Sequence, residues 1–261
     1  MNTIDAVQDK QVWNSAKVIQ VYATVDQLQK PEQTILELLR ERLPGMRMLD
    51  LGIGGGRTTV HFAPLVKEYV GSDYAENMVD ACRQRFPNPG EHVRFDVIDA
   101  TDMRRVPDRY FDLVLFSFNS IDCVAPEDRD KVFHEAIRVS REGGYFVFSS
   151  HNLYYLRYMY ALKWYPRWRE LLYQFYRSAM LLYYNGLPGK YDNHDFAIIR
   201  NGIEHFSLNI YYSKPEYQVQ QLKKAGFRNI RAFSYKTGLE IDLNQLNRLS
   251  REPWIHYLCE I

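Results

Sequence analysis

The stretch from Met46 to Thr59 reads MRMLDLGIGGGRTT, and the rest of the chain is organised around it. Its first half is short and apolar, as expected of a buried strand, and its second half is rich in glycine. Glycine removes Cβ where the chain turns sharply and where a ligand lies against bare backbone. A helix predicted to begin near Thr58 presents free N–H groups to that ligand. The stretch therefore predicts a strand, a glycine loop and a helix around a nucleotide-like ligand.

The spacing of the glycines distinguishes two kinds of nucleotide site. A dinucleotide-binding loop has its third glycine three residues after the second, and Arg57 occupies that position here. Instead, an acid stands two residues before the first of three glycines at alternate positions; these residues are Asp50, Gly52, Gly54 and Gly56. A carboxylate at the strand end suits an amine-bearing or cationic ligand better than a pyrophosphate.

Composition and charge narrow the class of protein. The 261 residues, 46% of them apolar, suffice for one large α/β domain with an insertion. A net charge of +1 disfavours nucleic acid as a partner. The three cysteines, Cys82, Cys123 and Cys259, match neither a disulfide framework nor a metal site, so we expect a reducing compartment and no metal. Without a signal-peptide pattern or an apolar run of about 18 residues, the expectation is a soluble cytoplasmic protein.

Strand and helix patterns alternate along the chain. After the first strand, strands are predicted at residues 68–73, 92–98, 111–116, 145–150, 228–235 and 254–259. Helices are predicted at residues 11–25, 31–43, 58–66, 75–86, 126–141 and 214–224, the last ending at Gly226. This alternation predicts a doubly wound, mostly parallel α/β sheet. The expected divisions are N-terminal helices at 1–45, a cofactor-binding core at 46–152, a helical, aromatic-rich insert at 153–212 and the rest of the core sheet at 213–261.

Two acids follow predicted strands. Asp73 ends the second strand, about 20 residues beyond the glycine loop, where a doubly wound sheet places an acid that accepts both ribose hydroxyls. Asp99 and Ala100 end the third strand. Because the carboxyl ends of parallel strands share one sheet edge, we expect these residues beside the glycine loop. The alternative is that both acids are turn residues.

At four positions the sequence resembles the class I S-adenosylmethionine-dependent methyltransferases: the loop from Asp50 to Gly56, Asp73, Asp99 and the Gly143-Gly144 turn before the fifth strand. The resemblance covers most of the chain outside the insert. It implies a seven-stranded sheet whose last strand is antiparallel and lies at the sheet edge, with the insert after strand 5. It also implies an enzyme that takes S-adenosylmethionine as methyl donor and releases S-adenosylhomocysteine.

The same resemblance implies a set of cofactor-binding residues. They are Asp50, Gly52, Gly54 and Gly56 at the methionine half, Asp73 at the ribose, Tyr74, Met78, Asp99 and Ala100 around the adenine, Asn119 at the sulfonium, and Arg57 or Tyr22 at the cofactor carboxylate. Plain core packing explains Met78 nearly as well, and a surface role remains open for Arg57 and Tyr22.

Three histidines are candidates for a catalytic base. Holding the acceptor, the methyl group and the sulfur in line does much of the work of methyl transfer, so a base is optional. A hydroxyl acceptor usually needs one, whereas an amine that binds neutral does not. His151 is preferred because the end of strand 5 determines its position, and His194 and His205 are further candidates. For each of them a structural role is the alternative.

The insert is crowded with aromatic residues: Tyr154, Tyr155, Tyr158, Tyr160, Trp164, Tyr165, Trp168, Tyr173, Phe175, Tyr176, Tyr183 and Tyr184. As a lid over the acceptor site, they would stack on a flat acceptor or hold an ammonium group. Alternatively, they pack the lid onto the body or form a homodimer interface. The charged residues beside them are Arg157, Lys163, Arg167, Arg169, Arg177 and a single acid, Glu170. A basic amphipathic segment of this kind also fits contact with a membrane surface.

The sequence thus favours an S-adenosylmethionine-dependent methyltransferase that acts on oxygen or nitrogen of a small-molecule acceptor. Methylation of RNA or protein is one alternative, and a non-catalytic cofactor-binding or membrane-associated protein is another. Residues 119–122 read Asn-Ser-Ile-Asp. They lack the Pro-Pro-Tyr that usually follows the fourth strand in methyltransferases of nucleobase amines, which disfavours base flipping. The acceptor, its reacting atom and the oligomeric state stay open.

Overall fold

The computed structural model describes residues 3–163 and 167–261. Trp164, Tyr165 and the helix break predicted at Pro166 lie outside the described residues. The helices are α1 Ala6–Trp13, α2 Ala16–Tyr22, α3 Lys30–Leu39, α4 Thr59–Phe62, α5 Glu76–Arg85, α6 Arg129–Val139, α7 Leu156–Tyr160, α8 Trp168–Asn185 and α9 Pro215–Ala225. The strands are β1 Arg47–Leu51, β2 Glu68–Asp73, β3 Val93–Val97, β4 Phe111–Phe116, β5 Ser140–Asn152, β6 Phe196–Ile199, β7 Ile210–Ser213, β8 Arg228–Ser234, β9 Glu240–Ile241 and β10 Trp254–Glu260.

The strands of the described residues form one sheet in the order β3-β2-β1-β4-β5-β10-β8-β9. The first five of these pair in parallel, and β10 runs antiparallel between β5 and β8. The prediction of a doubly wound, mostly parallel α/β sheet with a reversed last strand is confirmed. The prediction that this last strand lies at the edge of the sheet was wrong, because β8 and β9 follow β10 in the strand order.

The described part of the sheet has ten strands rather than the seven predicted. One addition is the two-residue strand β9, and the others, β6 and β7, come from the insert. β7 pairs in parallel with the end of β5 at His151 and Asn152, and β6 pairs with β7. These two strands lie in the part of the insert, residues 186–212, where loop with one or two short extended pieces was predicted after a helical segment. Short apolar runs such as Ile210–Ser213, buried at every position, are hard to assign from periodicity alone.

Helices cover both faces of the sheet. Ile35 of α3, Phe62 of α4 and Val79 of α5 pack in one buried cluster, whereas Phe133 of α6 and Leu222 of α9 pack in another. Such two-sided burial explains why β4 is almost entirely apolar. The edge formed by the carboxyl ends of β1 to β5 is left for a ligand, as in other doubly wound sheets.

Local sequence explains where the helices begin and end. α9 ends at Gly226, which has a φ of 110°, as predicted from its glycine. The single helix predicted at residues 11–25 is instead the pair α1 and α2. Asp5 begins α1 by accepting hydrogen bonds from the amides of Val7 and Gln8, and the chain breaks helical form at Asn14 and Ser15. In the portion of the chain described, none of the helices is both long and apolar enough to cross a bilayer.

Candidate active site

A cavity of about 820 Å³ lies at the carboxyl edge of the parallel strands. This volume is within the range of about 300 to 1,000 Å³ that is usual for ligand pockets. One set of lining residues comes from the glycine loop and the ends of β2, β3 and β4. A second set comes from β5, the insert and the chain near β10. The first set contains most of the predicted cofactor residues, helix α2 adds Tyr22, and the second set contains the preferred histidine.

Most glycines of the loop are packed too closely to admit a side chain. A Cβ on Gly52, which has a φ of 64°, would lie 2.9 Å from Ser120 Cβ. A Cβ on Gly55 would lie 2.5 Å from the main chain of Ala23, so this glycine allows the N-terminal helices to rest on the loop. The alternating pattern of glycines predicted a ligand contact for Gly54 but not for Gly55. Both residues line the cavity.

Two predicted members of the loop lie behind the wall of the cavity. Gly56 is packed against the ring of Phe86, and the lining does not include it or Asp50. Asp50 accepts hydrogen bonds from the hydroxyls of Thr58 and Tyr69, and burial raises the pKa of its carboxyl to about 7. These bonds join the end of β1 to the start of α4 and to β2. The expected position of Asp50 beside the ligand amino group is therefore not what the structure shows.

The two strand-end acids do line the cavity. Asp73 accepts hydrogen bonds from the amides of Gly54 at 3.1 Å and Ala75 at 2.9 Å, and burial raises its pKa to about 6. Asp99 accepts from the amide and the hydroxyl of Thr101 at 2.8 and 2.7 Å. Both carboxylates are thus held in place by neighbouring backbone. This arrangement supports the predicted ribose and adenine contacts, which stay predictions.

The residues predicted around the adenine, and Tyr22, a candidate for the cofactor carboxylate, come from three parts of the chain. Tyr74, Met78 and Ala100 line the cavity, as does Tyr22 from α2. Met78 also packs in a buried cluster with residues of α2, so its core role and its cavity role coexist. Tyr22 makes edge-to-face contacts with Trp13 at 5.5 Å and with Phe118 at 6.3 Å between ring centroids. The N-terminal helices therefore help to enclose the site.

Arg57 lines the cavity but is already paired. Its Nη1 and Nη2 donate to the two carboxylate oxygens of Glu32 at 2.5 and 2.6 Å, and Nη2 also donates to Ser117. Burial alone would raise the pKa of Glu32, but the bonds from Arg57 hold it below its usual value. The role predicted for Arg57 at the cofactor carboxylate competes with this buried ion pair.

Asn119 has a polar atom to offer a ligand. Its φ of 61° lies in the left-handed region, and its amide donates to Ser149 Oγ at 2.7 Å. The residue lines the cavity, and within residues 3–163 and 167–261 its buried side-chain oxygen has no hydrogen-bond partner. A strained backbone and an unpaired buried acceptor are typical of functional sites. This oxygen and the close-packed glycine loop fit a nucleoside-like cofactor.

Of the three candidate histidines, the structure brings His151 to the cavity wall. Its Nδ1 lies 2.8 Å from Asp122 Oδ2, which also accepts the backbone amide of His151 at 2.6 Å. His194 is exposed with its ring beside Tyr191, and His205 is exposed with its Nε2 3.5 Å from Lys17 Nζ. Neither of these two lines the cavity, so their prediction as bases is withdrawn.

Asp122 belongs to a buried network that sequence reasoning missed. Its Oδ1 accepts from Ser150 at 2.7 Å and from Arg129 at 3.0 Å, and Arg129 also donates to Gln218 at 2.8 Å. The four side chains are buried. The sequence could have indicated this pairing. Asp122 follows β4, and the carboxyl ends of the neighbouring parallel strands β4 and β5 lie at the same edge of the sheet. The network fixes both the position and the ring orientation of His151.

The wall around His151 is largely aromatic. Its ring centroid is 4.6 Å from that of Tyr212 and 5.8 Å from that of Trp254, which in turn contacts Tyr235. The insert adds Tyr155, Met159 and Arg177 to the lining. Most of its other aromatic side chains on α8 are exposed instead. The geometry thus separates insert residues that face the cavity from those that face outward.

The doubly wound sheet, the glycine loop and the strand-end acids define a domain built to bind a nucleoside-like cofactor. Residues 49–148 match a family model described as a methyltransferase domain. A segment of 103 residues is 34% identical to the demethylmenaquinone methyltransferase of Clavibacter sepedonicus and covers 40% of each chain. Another of 107 residues is 32% identical to a ubiquinone/menaquinone biosynthesis C-methyltransferase of Vibrio vulnificus and covers 39% of each. The chain thus spans about two fifths of the length of the curated relatives it matches.

The fold as a whole is similar to that of an S-adenosylmethionine-dependent methyltransferase from Clostridium acetobutylicum, with a TM-score of 0.60 and 17% identity over 98% of both chains. At this identity the likeness shows the fold alone. Together with the family model, it confirms the resemblance to class I methyltransferases. The cofactor of this class of domain is S-adenosylmethionine.

Proposed function

We propose that this protein methylates a small, flat acceptor at a site activated by loss of a hydroxyl proton, with S-adenosylmethionine as donor. The observation that carries the proposal is the pairing of His151 with buried Asp122 at the cavity wall. A histidine held by a carboxylate at one ring nitrogen offers the other nitrogen to the acceptor. The free cysteines Cys82, Cys123 and Cys259 support a cytoplasmic location as part of this proposal.

The dyad assigns a place to each proton. His151 Nδ1–H donates to Asp122, so Nε2 carries the lone pair that accepts the hydroxyl proton. Asp122, held by Ser150 and Arg129, stabilises the imidazolium that results. S-adenosylmethionine, when bound, supplies an electrophilic methyl group that bonds to the acceptor as the carbon–sulfur bond breaks, leaving S-adenosylhomocysteine. A hydroxyl requires this base, whereas an amine that binds neutral does not.

The aromatic wall favours a flat acceptor body. Tyr155, Tyr212, Tyr235 and Trp254 line the cavity, and the rings of Tyr212 and Trp254 contact that of His151. The curated relatives named above are methyltransferases of quinone biosynthesis, one of them a C-methyltransferase. Ring-carbon methylation of a hydroxylated aromatic is therefore a second candidate beside O-methylation, since loss of a hydroxyl proton also makes the ring carbon more nucleophilic. The proton on that carbon is then lost to solvent, which restores the aromatic ring. An acceptor site made of aromatic walls supports a small molecule over RNA or protein.

Calorimetry with S-adenosylhomocysteine and NAD tests the donor. We expect the first to bind, and binding of NAD alone would contradict the proposal.

The base is tested by single-turnover transfer of labelled methyl to a panel of naphthohydroquinones, phenols and primary amines. We expect His151→Ala to slow methylation of the hydroxylated acceptors by roughly 100- to 10,000-fold while the affinity for S-adenosylhomocysteine stays unchanged. His134→Ala, an exposed histidine of α6, is the matched control and should behave as the parent protein. A normal rate in His151→Ala would exclude its role as base.

A further inference from the structure

Exposed apolar side chains are concentrated on one segment of the protein. Among the described residues, nine of the seventeen large hydrophobic side chains that are exposed lie between residues 162 and 187. They are Leu162, Trp168, Leu172, Tyr173, Phe175, Tyr176, Leu182, Tyr183 and Leu187, and each is between 43% and 79% exposed. Exposed apolar side chains concentrated on one part of a protein surface mark an interaction site.

Helix α8 organises this patch. Its inner face is docked on the protein through buried Leu181, a hydrogen bond from Ser178 to the carbonyl of Tyr160, and Arg177 at the cavity wall. The outer face carries exposed residues at helical spacing: Trp168, Leu172, Phe175, Tyr176 and Tyr183. The helix is thus apolar on the side that the described chain leaves uncovered, over a length of about 27 Å for its 18 residues.

Positive charge accompanies the apolar face. Residues 157–192 contain six basic and two acidic residues, a net charge of +4 in a chain whose total is +1. Two of the basic residues are paired, Arg157 with Asp192 and Arg167 with Glu170. Exposed Arg167 and Arg169 stand at the start of α8, where the Arg169 guanidinium lies 5.4 Å from the ring centroid of Trp168. Exposed Lys190 follows the end of the helix. The occupant of this face must therefore tolerate aromatic and apolar contact and also bring negative charge.

We propose that the outer face of α8 docks on the surface of an anionic lipid bilayer without spanning it. Aromatic residues with basic neighbours are the composition of helices that lie in the headgroup region. Two copies meeting through this face would bring two strongly positive segments together, which disfavours a second copy as the occupant. Docking does not depend on the acceptor chemistry. If the proposed function also holds, only helix α8 separates the Arg177 side of the cavity from the membrane, where apolar acceptors dissolve.

Sedimentation of the full chain with vesicles tests this proposal. We expect it to bind vesicles of phosphatidylcholine with 30% phosphatidylglycerol, to bind pure phosphatidylcholine much more weakly, and to dissociate in part in 1 M NaCl. Phe175→Glu with Leu172→Glu should abolish binding, and Arg167→Gln or Arg169→Gln should each weaken it about fivefold. Leu239→Glu, at an exposed leucine outside residues 162–187, is the matched control and should bind as the parent protein.

Light scattering and S-adenosylhomocysteine calorimetry on the same variants complete the test. All variants should bind S-adenosylhomocysteine, which shows that they are folded and separates this proposal from the proposed function. Absence of vesicle binding by the parent protein would overturn the proposal. So would a dimer that Phe175→Glu dissociates without any vesicle binding, since a second copy would then cover the face.

Discussion

The buried pair of Glu32 and Arg57 gives the most quantitative prediction. Two hydrogen bonds of 2.5 and 2.6 Å join the two side chains, both buried, behind the glycine loop. Glu32 also accepts the amide of Gln29 at 2.6 Å and so caps α3. Glu32→Gln keeps the shape of the side chain but removes its charge, which leaves the Arg57 guanidinium uncompensated in the interior.

The free energy of unfolding lost in Glu32→Gln follows from the burial of the ion pair. Removing one partner of a buried ion pair costs about 3 to 5 kcal/mol. Since 1 kcal/mol shifts the unfolding midpoint of a chain of this size by about 2 to 4 °C, we expect Glu32→Gln to unfold roughly 6 to 20 °C lower. Because pairing lowers the pKa of Glu32, its contribution is present above the usual carboxyl range and lost as pH falls through the lowered pKa. The difference between the two proteins should therefore shrink in acid.

Scanning calorimetry at pH 7 and at pH 4 measures these midpoints. The matched control is Glu37→Gln on the same helix, whose pair with Arg40 is exposed and should leave the midpoint unchanged. A midpoint for Glu32→Gln within error of the control would refute the reasoning. Arg57→Met, assayed for S-adenosylhomocysteine affinity below its midpoint, then separates the two roles of Arg57. An unchanged affinity assigns it to the ion pair, and a loss restores its predicted contact with the cofactor carboxylate.

Two further predictions concern the cofactor half of the site. Gly55→Ala places a methyl group 2.5 Å from the main chain of Ala23. We therefore expect thermal unfolding to show that the free energy of unfolding falls by about 1 to 3 kcal/mol. Gly45→Ala, whose methyl group would meet nothing within 4 Å, should leave that free energy unchanged. Equal stability of the two variants would contradict the close packing. Asp73 has a pKa raised to about 6, so titration calorimetry should show S-adenosylhomocysteine binding weaken as pH falls from 8 through 6, and Asp73→Asn should be weaker and independent of pH. A parent protein with no pH dependence would remove Asp73 from the ribose.

Most of the fold could be predicted because its signals are local. The Gly226 end of α9 and the apolar strand β4 follow from a few adjacent residues each. The errors arose where pairing partners are distant in sequence. The short extended pieces predicted in residues 186–212 were not assigned to the main sheet, because β7 gains its partner only when it reaches β5. The last strand was placed at the edge because nothing local shows that β8 pairs on its outer side.

The candidate site, like the fold, could be predicted from the sequence only in part. Asp73 and Asp99 were found because strand order alone brings their strands to one edge. Asp50 fits the motif, yet Thr58 and Tyr69 turn its carboxylate away from the cavity, which a spacing rule cannot show. His194 also lies in a polar stretch of sequence, but its side chain is exposed on the surface.

The amino-acid sequence by itself determined the methyl-donor side of the site. One strand, one glycine loop and the acids at strand ends are each recognised from a few adjacent residues, in a fixed order along the chain. Only the tertiary structure decided the acceptor half. The pairing of His151 with Asp122, and the approach of Tyr212 and Trp254 to that histidine, depend on contacts between segments far apart in the chain. The same packing decided which side of α8 faces the cavity and which side is left apolar and exposed. Burial, unlike a motif, is a property of the whole fold.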